Sequence, residues 1–125
     1  MDTKKVGNFG ERIAEKYLRD KGYQILDKNF SFASGLEKGE IDIVAQKGDI
    51  ISFVEVKSLI EVSGFSPEEK VNFQKQEKIK KIAQIWLDKN KRALDSKWQI
   101  DVLSIKIDPS FKKAKVKHLE NIAFD

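Results

Sequence analysis

The chain has 125 residues, 40% apolar and 35% charged, enough for one buried core in a single domain over 1–125 and too apolar for a disordered chain. Cysteine is absent, which excludes disulfides, thiolate metal sites and cysteine nucleophiles and suits a reducing, cytoplasmic setting. The net charge of +4, carried largely by lysine, favours polyanionic partners, although a lysine-rich surface serving solubility weighs about as much on charge alone.

The N-terminus "MDTKKVGNFGERIAEKYL" is charged throughout, and no stretch reaches the ~20 apolar residues of a bilayer span, so neither a leader nor a membrane partner is expected. Phe9, Ile13, Tyr17 and Leu18 fall at helical spacing and predict an amphipathic helix over 8–21, with Asn8 as N-cap and Gly22 just past the end. "YQILDKNF" (23–30) reads as a strand, "SFASGLEK" (31–38) as a polar loop, and "GEIDIVAQKGDIISFVEVK" (39–57) as two further strands. "SPEE" (66–69) starts a second helix: Ser66 caps it, Pro67 takes the first helical position and Glu69 completes a capping box. Val71, Ile79, Ile82, Ala83, Trp86 and Leu87 form its core-facing stripe to about Asn90, while Lys70, Lys78, Lys80, Lys81 and Lys89 lie mostly elsewhere. "KWQIDVLSIKI" (97–107) alternates with period two, and "KAKVKHL" (113–119) adds an edge strand. Helix, three strands, helix, then one or two strands predicts an α/β or α+β sandwich with a mixed central sheet flanked by helices.

Glu40, Asp42, Glu55 and Lys57 interrupt strands that are otherwise apolar. A two-residue turn at Gly48 and Asp49 sets Val44 opposite Phe53, Asp42 opposite Glu55 and Glu40 opposite Lys57, with facing Cβ atoms about 4.5–5.5 Å apart. The polar residues then share one face, and Ile41, Ile43, Ala45, Val54 and Val56 share the other, expected under a helix. Two opposed carboxylates repel unless one is protonated or a cation sits between them, and a hard divalent ion such as Mg²⁺ or Mn²⁺ resolves the conflict. Lys57 points the same way as Glu55, so its ammonium can orient water or stabilise charge on a phosphoryl group. The set suits metal-assisted phosphodiester hydrolysis, which needs no histidine, cysteine or serine nucleophile. The competing reading is a salt-bridge cluster on an exposed face, with Glu40 paired to Lys57; the opposed carboxylates count against it.

"GEID" followed by "FVEVK" resembles the PD-(D/E)xK restriction-endonuclease-like superfamily. Over nearly the whole chain, "GNFGERIAEKYL", "GYQIL", Asn29, "GEIDIVA", "FVEVK", Lys75, "QIDVLSI" and "HLENIAF" together resemble the YraN-like uncharacterised family of predicted endonucleases. The resemblance implies an α/β, restriction-endonuclease-like core using Mg²⁺ or Mn²⁺. It implies Asp42 and Glu55 as metal ligands with the Val56 carbonyl beside them, Lys57 as the catalytic lysine, and Glu11 as a further acidic member from the first helix. Without the resemblance, Glu11 is equally an ordinary glutamate favoured at a helix start. DNA is the implied substrate, with branched or junction DNA among the forms because resolvases share this fold; a homodimer is compatible, although no surface stripe demands one. The chain departs from the family where Leu59, Gln99 and the pair Phe30–Ser31 stand in place of basic residues, which weakens bidentate phosphate recognition. Lys28 and Lys75 can substitute only as point charges. The alternative is therefore a nucleic-acid-binding protein that keeps the fold without turnover. His118, the sole histidine, is expected at a surface or interface position, and Trp86 and Trp98 in the core.

Overall fold

The structure, a computed structural model, describes residues 3–61, 73–93 and 95–122. Its first element, α1 (Thr3–Asp20), begins before Asn8, which therefore lies within the helix rather than at its cap. Gly22 ends it as expected: at φ 93° it occupies the left-handed region. Its N–H donates to the Arg19 carbonyl at 3.0 Å, and that of Tyr23 donates to Leu18 at 2.9 Å. These paired bonds satisfy carbonyls the helix leaves open.

Three antiparallel strands follow: β1 (Gln24–Ser34), β2 (Glu37–Lys47) and β3 (Ile50–Ile60). The stretch 31–38 is not a loop. Ser31 to Ser34 pair with Glu40 to Glu37, and Gly35 at φ 58° opens a two-residue turn. Backbone pairing satisfies these amides although the side chains are small and polar, which is why composition suggested a loop. The Gly48–Asp49 turn is as expected, with Gly48 at φ 61° and Lys47 paired to Ile50. Next come α2 (Phe73–Lys89), β4 (Lys97–Ile107) and the edge strand β5 (Ala114–Leu119). The "SPEE" cap, Lys70 and Val71 lie outside the described residues. The mixed five-stranded sheet runs β1-β2-β3-β4-β5; only β3 and β4 are parallel, as the intervening α2 allows. No helix among the described residues is long and apolar enough to cross a membrane.

Both sheet faces are covered. Val6, Ala14 and Leu18 of α1 pack on Ile43, Ala45, Val54, Leu103, Ile105 and Ile107. Ile79, Ile82, Ala83 and Trp86 of α2 pack on Ile41, Val44, Ile51, Phe53, Ile100 and Val102. This corrects the expectation of one buried face: Val44 and Phe53 share the side given to the polar residues, and α2 buries them. Trp86 is core as expected, its Nε1 donating to Asp27 at 2.9 Å, while Trp98 is partly buried with its ring edge-on to Phe53. Two glycines let the helices come close. A Cβ on Gly10 would lie 1.7 Å from Ser58 Oγ, and one on Gly39 would lie 2.9 Å from Ile82. Each glycine immediately precedes an acidic residue of the candidate site, Glu11 and Glu40 respectively.

Candidate active site at the parting of two strands

The β2–β3 ladder runs from Lys47↔Ile50 to Ile43↔Val54 and stops there. Up to that point the register is the one derived from the turn, Val44↔Phe53 included. Beyond it Asp42 and Glu55 no longer form a backbone pair, so the expected facing of Asp42 with Glu55 and of Glu40 with Lys57 is not a ladder register. Continuing the same register would bond Val56 to Ile41. Instead the Val56 N–H donates to Asp42 Oδ2 at 2.8 Å. A side-chain carboxylate has thus replaced a backbone carbonyl, and the two strands part around it.

The parting is built into both neighbouring strands. Ile41 packs under α2 whereas Ile43 packs under α1, although residues two apart in a regular strand share a face. The backbone therefore rotates at Asp42, turning its side chain sideways into the gap. On β1, the register is the same at Lys28↔Ile43 and Phe30↔Ile41, but Asn29, which stands opposite Asp42 between them, is left out of the pairing and takes φ 53°. Asparagine tolerates the left-handed region better than most residues, which explains its presence at that distortion.

Asp42 consequently lines three clefts at once. One of about 440 Å³ is shared with Asn8, Glu11, Arg12, Lys28 and Asn29. Another of about 320 Å³ is shared with Glu11, Val56, Ser58 and Leu59. The third, about 240 Å³, lies against α2 with Gly39, Glu40, Glu55, Lys75 and Lys78. Burial, then the Glu55 charge, push the Asp42 carboxyl up to about 7 despite the opposing Val56 N–H, with Glu11 and Glu40 adding to the rise. Burial and then Glu40 also raise Glu11, while Lys28 opposes the shift. The structure thus brings Glu11, Glu40, Asp42 and Glu55 into one electrostatic group. Val56 joins through its N–H. Its carbonyl leaves an extended strand on the same side as that N–H and so faces the parting too. Lys57 follows two residues after Glu55 on β3, half-buried and in register with Ser104.

The sequence did not reveal one participant's role. Lys75 Nζ of α2 lies 2.6 Å from Glu55 Oε1, where Glu55 is 13% exposed and Lys75 44%. Lysine at this position carried a resemblance but no geometric role, because the contact joins α2 to β3.

A second polar cluster lies under the other end of α1. Asp101, fully buried, accepts from Gln99 Nε2 and the Asn121 N–H, both at 3.0 Å, and lies 2.8 Å from His118 Nε2. A carboxylate can only accept there, which assigns the ring proton to Nε2 and leaves Nδ1 to accept from the Tyr17 hydroxyl at 3.3 Å. His118 is therefore not a surface residue: it is 10% exposed and ties β5 to α1 and β4. Ligand atoms of Asp101, His118 and Glu120 lie within 4.8 Å of one another, close enough to share a cation. Yet the Asp101 oxygens already accept three donors, and burial followed by the Asp101 and Glu120 charges pushes Tyr23 nearby up to about 12. Those bonds make it a closed structural network. Gln99, one of the departures from the family pattern, belongs to this network and not to the parting.

Fold and site together define an α/β protein with a mixed five-stranded sheet between two helices and a carboxylate cluster where two strands separate. The chain belongs to the uncharacterised protein family UPF0102, the YraN-like family, whose model matches residues 10–105. A UPF0102 protein of Dictyoglomus turgidum is 37% identical over 121 residues, covering 97% of this chain and 98% of the relative. One of Clostridium tetani is 53% identical over 89 residues, covering 71% of this chain and 70% of the relative. One of Fervidobacterium nodosum is 43% identical over 126 residues, covering 98% and 85%. The matched range includes Glu11, Asp42, Glu55, Lys57 and Lys75 but not His118.

Proposed function

We propose that this protein is a divalent-metal-dependent nuclease with a restriction-endonuclease-like core, hydrolysing phosphodiester bonds in DNA. The observation that carries the reading is the parting itself: Asp42 is turned into the gap with one N–H donor and three neighbouring carboxylates. Lys75 meets only Glu55 in this group of four carboxylates, and a hard cation answers the crowding around Asp42 better than any apolar or neutral ligand. Asp42, Glu55 and the Val56 carbonyl would hold a Mg²⁺ or Mn²⁺ ion, with Glu11 beside them. A bound ion supplies Lewis-acid activation of water and of the phosphate.

The chain's own residues do the rest. Lys57, on the strand that carries Glu55, offers an ammonium to charge developing on the phosphoryl oxygens. Arg12 and Lys28 line the cleft on the α1 side and Lys78 the cleft on the α2 side, so cations flank the carboxylates in both directions a nucleic acid backbone can approach. Arg12 offers the bidentate grip for which Leu59, apolar and lining another of the clefts, is no substitute. Leu59 also favours the second reading, a protein that binds nucleic acid without turnover.

Cleavage of labelled single-stranded, duplex and branched DNA, with Mn²⁺ or with a chelator, separates the two. The nuclease reading expects metal-dependent product in at least one substrate, reduced about a hundredfold or more in Glu55→Gln and Lys57→Ala. Salt-sensitive DNA binding that survives Glu55→Gln, with no product from any substrate, would establish the binding protein instead.

A further inference from the structure

Resting on the metal-site reading above, we propose that Lys75 is a built-in counter-ion for Glu55, which an incoming divalent cation must displace. Four carboxylates meet at the parting, and the structure compensates two of them by different means. Asp42 accepts the Val56 N–H at 2.8 Å, a fixed backbone group. Glu55 is met by the Lys75 ammonium at 2.6 Å, the tip of a four-carbon side chain on another element. The first partner cannot leave without moving a strand. The second can leave by rotating side-chain bonds, and Lys75 is exposed enough at 44% to be rehydrated when it does.

The ammonium lies in the same cleft as Glu40, Asp42 and Glu55, against a carboxylate oxygen that the metal needs. Two cations cannot share that oxygen at contact distance without strong repulsion in a partly buried site. Occupancy by Lys75 and by a divalent ion is therefore mutually exclusive at Glu55 Oε1. The α2 helix carrying Lys75 is held close to β2, because Gly39 lets Ile82 approach to a distance a Cβ would not permit. Lys78 lines the same cleft, one helical turn further on. It supplies a neighbouring lysine as a control for the general field of the helix.

The sign of one variant decides the matter. If Lys75 merely positions Glu55, its removal lets the carboxylate swing and weakens metal binding. If it competes, its removal tightens binding, by an amount comparable with breaking a partly exposed ion pair. The experiment is calorimetric titration of Mn²⁺ into wild type, Lys75→Gln, Lys78→Gln and Glu55→Gln near neutral pH. Circular dichroism verifies the fold of each. We expect Lys75→Gln to bind Mn²⁺ about fivefold more tightly than wild type and Lys78→Gln to change affinity by less than about twofold. Binding to Lys75→Gln with none detectable in wild type supports the same conclusion more strongly. With wild-type binding present and lost in Glu55→Gln, unchanged or weaker binding in Lys75→Gln overturns the competition while leaving the metal site standing. A Lys78→Gln shift as large as that of Lys75→Gln overturns it too, by showing a general field. Absence of Mn²⁺ binding in both wild type and Lys75→Gln overturns this inference together with the metal site.

Discussion

Asp42 and Asp101 are both aspartates on central strands under α1, and their surroundings are opposite. Asp101 has a donor for every demand: an amide side chain, a backbone N–H and an imidazole. Asp42 accepts the Val56 N–H and faces Glu55, Glu11 and Glu40, whose charges add to burial in raising it to about 7. A carboxylate surrounded by donors is held for the sake of the fold, since removing it leaves buried partners unsatisfied. A carboxylate surrounded by carboxylates works against the fold and persists only where something else needs it. The difference lies in the company each side chain keeps and not in the residue type.

The comparison predicts its largest stability effect at the satisfied cluster. Asp101→Ala strands the Gln99, Asn121 and His118 donors and empties a buried site, so it should cost about 3 kcal/mol in denaturant unfolding. A cost below about 1 kcal/mol would break the contrast. The next effect strikes the helix that both clusters share, which brings Glu11 to one and Tyr17 to the other. Gly10→Ala puts a methyl group 1.7 Å from Ser58 Oγ, forcing α1 and β3 apart at a cost of about 2 kcal/mol by the same measurement.

The smallest effect is the most diagnostic, because its sign is reversed. Asp42 rises from an ordinary 3.8 to about 7, so between those pH values the folded protein holds a proton that the unfolded chain releases. Its contribution is fully present below about pH 4, falls as pH rises and is gone above about 7, a loss of about 1–2 kcal/mol after discounting for partial exposure. Asp42→Asn should flatten that part of the stability profile and be the more stable protein above pH 7 in the absence of metal. A profile equally steep in variant and wild type would remove the crowding from the account.

Much of this was legible from the residues. Period-two alternation placed β4, Gly48 with Asp49 fixed the hairpin register as far as Ile43↔Val54, and the position of charged residues within apolar strands singled out Asp42, Glu55 and Lys57 as candidates. What escaped shares one physical cause: it depends on where elements pack, which spacing along a strand does not record. Alternation assumes a regular pleat, so it could not foresee the rotation at Asp42 that sends Ile41 and Ile43 to opposite faces. Val44 and Phe53 belonged to a face marked polar by its charged neighbours, and only the seating of α2 shows it to be core. His118 on an edge strand looked external because its partners, Asp101 and Tyr17, stand 17 and 101 residues away in the chain. Lys75 reaches Glu55 across the same kind of gap.

The most direct test of the contrast is a calorimetric Mn²⁺ titration of wild type, Asp42→Asn and His118→Gln side by side. The strand parting predicts a binding event that disappears in Asp42→Asn and survives in His118→Gln. Binding that survives Asp42→Asn and disappears in His118→Gln would move the metal to the Asp101 cluster and contradict the account at its centre.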